Sequence, residues 1–203
     1  MKLYFAPGAC SLAPHIALCE AGLPYDTEKV DLRATPHCTE SGVDYTTISP
    51  KGYVPALEFE HGEVLTECAA ILQFIADQAP EMQLAPANGT LERYRLQEWL
   101  NFISTELHKG FGPMWDPAVT AEARDAAWAR ISRRLAWIAP QLAGRDYLLG
   151  EFSVADAYLY TILNWVPYHR LSLDPWPALQ EFQVRVAARP AVQQALHEEG
   201  LLQ

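Results

Sequence analysis

Strand signals in this chain of 203 residues stop at residue 65, and everything beyond residue 89 carries helical periodicity. A chain divided in this way calls for a mixed α/β layer at the front and an all-helical part behind it. Residues 2–5, Lys-Leu-Tyr-Phe, read as a short strand that Pro7-Gly8 breaks. From Ser11 the apolar positions Leu12, Ile16, Leu18 and Leu23 fit a helix ending near Gly22. Pro14 falls in its first turn, where a missing N–H costs little. Residues 29–32 read as a second strand, and 33–52 as polar and irregular. Residues 54–59 and 63–65 read as a hairpin turning at His61-Gly62, and Thr66 to Ala79 as a helix.

The order is therefore βαβ followed by ββα, a thioredoxin-like arrangement. Residues 80–89, with Pro80, Pro86 and Gly89, look like a linker. Helical periodicity then covers 90–110, 121–143, 154–166, 177–187 and 191–199, punctuated by prolines and glycines. The expected fold class is an α/β thioredoxin-like N-terminal domain plus an all-α C-terminal domain. The boundaries are residues 1–81, a linker at 82–89, and 90–203. Ser153 and Asp156 have the spacing of a capping box, so Asp156 reads as a helix-start residue and not as a catalytic acid.

With 50% hydrophobic residues the chain can build a substantial core. Its apolar runs are far short of a membrane span, and its first residues do not form a signal peptide, so we expect a cytoplasmic protein. The net charge of −10 argues against nucleic acid and anionic membranes as partners. That charge is uneven, with 4 Lys/Arg against 12 Asp/Glu in residues 1–81. An anionic ligand would have to be held there by local donors. The four cysteines, Cys10, Cys19, Cys38 and Cys68, include no CxxC pair and no zinc spacing, so reduced thiols and no metal are expected.

Cys10 lies between a strand and a helix, where N–H groups and the helix dipole favour a thiolate, its own or that of a bound peptide. It reads equally well as a small buried hydrophobe. Val54-Pro55 opens a strand; either it is an ordinary edge proline, or a cis bond leaves the Val54 backbone free to pair with a peptide ligand. Glu67-Cys68 opens the next helix, whose N–H groups suit a carboxylate, while Glu67 itself reads as an ammonium partner or as a dipole partner. In the helix from Thr90, Glu98, Asn101, Thr105 and His108 fall on one face at about 100° per residue. The face reads either as a solvated one or, with these residue types and with Tyr94, Trp99, Phe102, Phe111 and Trp115 around it, as one wall of a cleft, the reading adopted.

Together these pieces resemble the bacterial Beta class of glutathione transferases over essentially the whole chain, and in particular members associated with the degradation of aromatic compounds. The carriers are Met1-Lys-Leu-Tyr, Pro7-Gly-Ala-Cys10-Ser-Leu, Pro14-His15, Pro50-Lys-Gly-Tyr-Val-Pro55, Leu65-Thr-Glu67, Trp99-Leu-Asn-Phe, Glu106-Leu-His108-Lys-Gly and Ser153-Val-Ala-Asp-Ala-Tyr. The resemblance implies a homodimer that uses glutathione as co-substrate against a small hydrophobic electrophile, in detoxification of xenobiotics. It implies that Cys10, beside Ala9, meets the glutathione sulfur, with His108 helping to polarise or position it. Val54, before cis Pro55, would pair with the cysteinyl backbone, and Glu67 and Cys68 would hold the γ-glutamyl end. Asn101, Thr105, Glu106 and His108 would lie near the site, some from the partner subunit, and His15 would be structural. Three positions depart from the pattern: Phe5 stands where many relatives have Tyr, leaving Tyr4 as the nearby phenol; Cys68 replaces a Ser; and Thr35-Pro36-His37 stand where a Lys near 35–37 often meets the glycyl carboxylate, a contact His37 could partly replace. Two other activities stay open: a glutathione-dependent redox enzyme (disulfide reductase, peroxidase or reductive dehalogenase) acting through Cys10, and a non-catalytic ligand-binding protein.

Overall fold

A computed structural model describes residues 1–202. The chain divides into two compact units. The first is Met1–Ala85 with the segment from Arg189 to the end of the described chain, and the second is Pro86–Ala188.

The first unit is built on β1 (Lys2–Phe5), α1 (Leu12–Ala21), β2 (Asp26–Asp31), β3 (Cys38–Thr39), β4 (Ala56–Glu58), β5 (Val64–Thr66) and α2 (Cys68–Gln78). The sheet order is β3-β2-β1-β4-β5. β1 is central, parallel to β2 with Leu3 opposite Thr27, and antiparallel to β4 with Leu3 opposite Leu57. This is the expected thioredoxin-like layer. Tyr4, Ala6, Val30, Tyr45, Val54 and Ala56 form a buried cluster on it.

β2 begins at Asp26, earlier than the sequence suggested, because Asp26, Thr27 and Glu28 take their ladder places from β1 and not from their own polarity. β3 and a 3₁₀ turn at Tyr45–Thr47 sit inside the stretch read as irregular; two residues are too few to show a strand period.

Helix α1 is buried nearly all round, at Leu12, Ala13, Pro14, His15, Ile16, Ala17, Leu18 and Ala21. A helix without a polar face needs cover on two sides. It packs against α2 and also against the last helix, α9 (Pro190–Glu198). The sequence reading carried the helical domain through 203; here α9 belongs with the first unit, because α1 supplies it with an apolar side. Burying Leu12, Ile16 and Leu18 is worth about 1.5–3 kcal/mol each.

The second unit holds α3 (Leu91–Phe102), α4 (Gly112–Trp115), α5 (Ala121–Ile138), α6 (Val154–Leu163), α7 (Trp165–Tyr168) and α8 (Pro177–Ala187). Thr90 and Thr120 cap α3 and α5 by accepting from Arg93 N and Ala123 N. All ten residues of α6 are buried, and it packs against α3 and α8. Its start is fixed by Asp156, whose carboxylate accepts from Ser153 N at 2.9 Å, Ser153 Oγ at 2.8 Å and Leu148 N at 2.9 Å.

Removing this carboxylate strands two buried N–H groups, each costing about 1–3 kcal/mol. We expect Asp156→Ala to lower stability by about 3 kcal/mol, read from the urea midpoint; a loss below about 0.5 kcal/mol would contradict the capping role. Burial raises the Asp156 carboxyl to about 6. The folded state therefore binds the proton more tightly than the unfolded state, and stability falls as pH rises through that window. The difference between wild-type and Asp156→Asn midpoints should carry this slope between about pH 4 and 6.

Candidate functional site

In the first unit the chain leaves β1 through Ala6–Ser11 and enters α1. Ser11 stitches the two together: its hydroxyl accepts from Ala6 N at 3.1 Å and donates to Ala6 O at 3.3 Å. Gly8 takes φ of 70°, a left-handed conformation that suits glycine, and Ala9 N donates to Ala6 O to close the turn. Cys10 follows, 8% exposed, and its thiol donates to Val54 O at 3.2 Å. Cys68, at the start of α2, donates its thiol to Cys10 O at 3.6 Å. The structure thus brings together Ala9, Cys10, Val54, Pro55 and Cys68. The Val54–Pro55 bond is cis, and so is Thr35–Pro36.

Val54 is held from the side as well. The Tyr45 hydroxyl donates to Tyr53 O at 2.9 Å, and burial raises this phenol to about 12, keeping it a donor. His37 Nδ1 meets Gly52 O at 2.9 Å, which commits one ring nitrogen to the same loop. Glu67 has φ of 72°, a left-handed setting that costs a non-glycine residue energy. Its carboxylate is paired with Lys51 Nζ at 2.6 Å, which also donates to Thr66 Oγ1 at 3.2 Å. Sequence reasoning assigned Lys51 no role. The signal was its rarity, as one of four Lys/Arg in residues 1–81.

Tyr4 does not stand in for the missing phenol at position 5. Its hydroxyl donates to Glu58 Oε2 at 2.7 Å, and burial, with Glu58 adding to it, pushes its pKa well above the ordinary value. The Phe5 ring lies 5.8 Å from the His15 ring.

His15 is fully buried on α1. Its Nδ1 lies 3.0 Å from Glu199 Oε1 and its Nε2 2.8 Å from Glu198 Oε2. Both ring nitrogens face carboxylates, so both carry protons and the ring is an imidazolium. Burial alone would lower its pKa; the hydrogen bonds to Glu199 and Glu198 outweigh this and raise it. Glu199 Oε2 accepts from Gly8 N at 2.9 Å, so the same carboxylate holds the Cys10 loop. Tyr25 donates to Glu198 at 2.8 Å and lies 3.0 Å from Cys19 Sγ. His15, Cys19 and Glu198 place ligand atoms within 4.8 Å of one another, the spacing of a metal site. The His15 protons are already donated to carboxylates, and burial raises the Cys19 thiol to about 11, so the group is arranged as a hydrogen-bonded cluster.

In the second unit, α3 does not continue as a regular helix. It passes into a π-helical turn at Ile103–His108, which breaks the assumed 100° phase. Of the polar face read from the sequence, Glu98, Asn101 and Thr105 stay at the surface and His108 is drawn inward. Asn101 and Thr105 are exposed, with Thr105 Oγ1 donating to Asn101 O at 3.0 Å. Glu106 pairs with Arg134 Nε at 2.6 Å. His108 is half-buried, its Nδ1 2.7 Å from the Tyr158 hydroxyl and its ring 5.1 Å from Trp165. Tyr158 and Trp165 were not singled out from sequence; both lie among apolar neighbours that read as plain core.

The aromatics split into two groups. Trp99, Phe102 and Trp137 pack edge-on and tilted against one another, while Phe111, Trp115, Trp165, Tyr168 and His169 form a second cluster. Burial, and then the Arg124 charge, lowers the His169 pKa, so that ring is neutral at physiological pH.

Residues 8–78 match the glutathione S-transferase N-terminal domain family, and residues 102–190 the glutathione S-transferase C-terminal domain family. The chain belongs to the glutathione S-transferase family. It is 42% identical to glutathione S-transferase GstA of Escherichia coli O157:H7, over 99% of this chain and 100% of that protein. The solved ternary complex of BphK, a bacterial GST, is 54% identical with a TM-score of 0.96, over 99% of this chain and 100% of that one. A sphingomonad glutathione S-transferase complexed with glutathione is 49% identical, TM-score 0.94, over the whole of both chains. A beta-class glutathione S-transferase of Sphingomonas chungbukensis is 45% identical, TM-score 0.95, also over the whole of both. The Beta-class resemblance read from the motifs agrees with these relatives.

In this transferase the clamp on His15 should respond to pH in a set direction. The His15 pKa is raised, so the stability it gives is complete below the unfolded value of about 6.5 and is lost as pH rises through the folded value. Glu199→Gln removes one of the two charges facing the imidazolium and should cost about 2 kcal/mol at pH 6, less than an unpaired buried charge because Glu198 remains. The deficit should shrink at pH 9. Urea midpoints at the two pH values test this, and a deficit that grows with pH would reverse the assignment.

Proposed function

We propose that this transferase binds glutathione in its first unit and activates the thiol for attack on a small hydrophobic electrophile. The observation that carries the reading is Cys10 at the entrance to α1 with the Val54 backbone against it, Sγ to O 3.2 Å. A cysteinyl ligand placed there has a backbone to pair with and helix N–H groups beside its sulfur. Glutathione is only a few per cent thiolate at pH 7, so lowering its pKa by about 2 units raises the reactive fraction roughly tenfold or more. The γ-glutamyl end is assigned to Glu67 and the Cys68 N–H, with the Glu67 carboxylate already oriented by Lys51.

His37 is assigned to the glycyl carboxylate, where the loop at Gly52 holds its ring. His108, carried by the π-helical turn and bonded to Tyr158, is assigned by the resemblance to help polarise the thiolate; Asn101 on α3 and Thr105 and Glu106 on the turn complete the set that the resemblance implies. Detoxification of xenobiotics, in the cytoplasm, is the corresponding role. Dimerisation is favoured by the apolar surface of the second unit, where Leu91 is 65%, Tyr94 60% and Trp137 50% exposed. Static light scattering at micromolar concentration should give twice the chain mass, and a monomer mass would count against the dimer.

The redox reading rests on the same Cys10. If Cys10 is a covalent nucleophile, every redox turnover passes through its mixed disulfide with glutathione. If bound glutathione attacks on its own, Cys10 sets only the local field. We expect Cys10→Ala to abolish disulfide and hydroperoxide reduction while slowing conjugation of a chlorodinitrobenzene-type substrate by tenfold or less. Complete loss of conjugation would sink this division. His108→Ala should lower kcat more than it raises the glutathione KM, and an unchanged rate and pH profile would leave the imidazole as lining only. Retention on glutathione-agarose without any turnover would instead favour a binding protein.

A further inference from the structure

Two cysteines lie together where the chain enters α1 and α2, and the glutathione chemistry proposed above uses only one of their thiols. The Cys68 sulfur lies against the backbone of Cys10, donating to its carbonyl at 3.6 Å. The two residues are 6% and 8% exposed, and α1 and α2 pack along each other, so the helix starts stay side by side. The other two cysteines are placed elsewhere: Cys19 is late in α1 beside Tyr25, and Cys38 is on β3.

We propose that Cys68 is a resolving thiol for Cys10, so that this site can cycle between a dithiol and a Cys10–Cys68 disulfide. The inference rests on the reading that Cys10 meets the glutathione sulfur. The oxidant is a low-molecular-weight disulfide, here oxidised glutathione. In the first step Cys10 loses its proton and attacks one sulfur of oxidised glutathione. A Cys10–glutathione bond forms, the original disulfide breaks, and one glutathione leaves as a thiolate that takes up the proton. In the second step Cys68 loses its proton and its sulfur attacks the Cys10 sulfur. The bond to glutathione breaks, and the second glutathione leaves and is protonated. Two protein thiols are oxidised, and one oxidised glutathione becomes two reduced molecules.

Burial favours this route. Once the ligand site has delivered glutathione to Cys10, a second external thiol reaches the buried mixed disulfide rarely, whereas Cys68 is held at high effective concentration beside it. The disulfide would also draw the first turn of α2 onto the Cys10 loop, consuming the sulfur that meets the ligand and displacing the N–H groups assigned to the γ-glutamyl end. Oxidation would therefore switch off glutathione binding until a dithiol reductant restores it.

The test is to treat the full-length protein with oxidised glutathione, block remaining thiols by alkylation, and map the products by intact mass and peptide mass spectrometry. Wild type should end two hydrogens lighter, with the Cys10 and Cys68 peptides joined. Cys68→Ser should stop at a Cys10–glutathione adduct, at a level at least tenfold above that in wild type. Cys19→Ser and Cys38→Ser should behave as wild type. A lasting adduct in wild type equal to that in Cys68→Ser would overturn the resolving role, as would a bond from Cys10 to Cys19 or Cys38. Absence of any adduct in Cys68→Ser would show that Cys10 does not meet the glutathione sulfur, and both readings would fall together.

Discussion

A buried imidazolium organises the first unit. His15 sits on a helix with no polar face, and burying a charge is tolerated only when it is paired and hydrogen-bonded. The two carboxylates that pair it come from the far end of the chain, at Glu198 and Glu199. That requirement brings α9 back onto α1, and Arg189 bonded to Glu20 through Nε at 2.6 Å and its terminal nitrogen at 2.8 Å fastens the other end of the same contact. The consequence reaches the chemistry, because Glu199 spends its second oxygen on Gly8 N–H, two residues before Cys10. The position of the Cys10 loop thus depends on a carboxylate more than 180 residues later in sequence.

The second unit uses a carboxylate in the same way, with the opposite protonation logic. Asp156 has three donors and no cation, so its burial raises the pKa while the donors hold it in place. It ties the loop at Leu148 to the start of α6, the helix around which α3 and α8 pack. Against that rigid centre the π-helical turn at Ile103–His108 changes the direction of the side chains that follow α3, and turns His108 toward Tyr158 and Trp165.

Placing thiols in an acidic unit has a chemical logic. With 12 Asp/Glu against 4 Lys/Arg in residues 1–81, the general field repels an anionic peptide. In the proposed reading, affinity then comes from short-range donors: the backbone beside Val54, the N–H groups opening α1 and α2, and Lys51, which offsets the nearby Glu67 carboxylate. Such donors act over one or two bonds and select for shape as well as charge, which suits a ligand with a backbone and a thiol.

Much was legible in the residues themselves. The strand and helix order, the glycine that closes α1, the capping box at Asp156 and the motif around Cys10 are local, and local pattern reports them because periodicity, turn chemistry and capping act over a few residues. The same reasoning brought Cys10, Val54 and Cys68 onto one list, and the fold places them in contact. Long-range partnership was not legible. No local signal tells His15 that Glu198 and Glu199 will cover it, Glu67 that Lys51 will hold it, or His108 that Tyr158 faces it. The π-helical turn that carries His108 was not legible either, because the residue pattern reads the same with or without it. Sequence by itself determined the family of fold and the candidate cysteine; the tertiary structure alone decided which charges are paired and which sulfur lies against Cys10, since those depend on contacts between elements whose spacing along the chain carries no record of their distance in space.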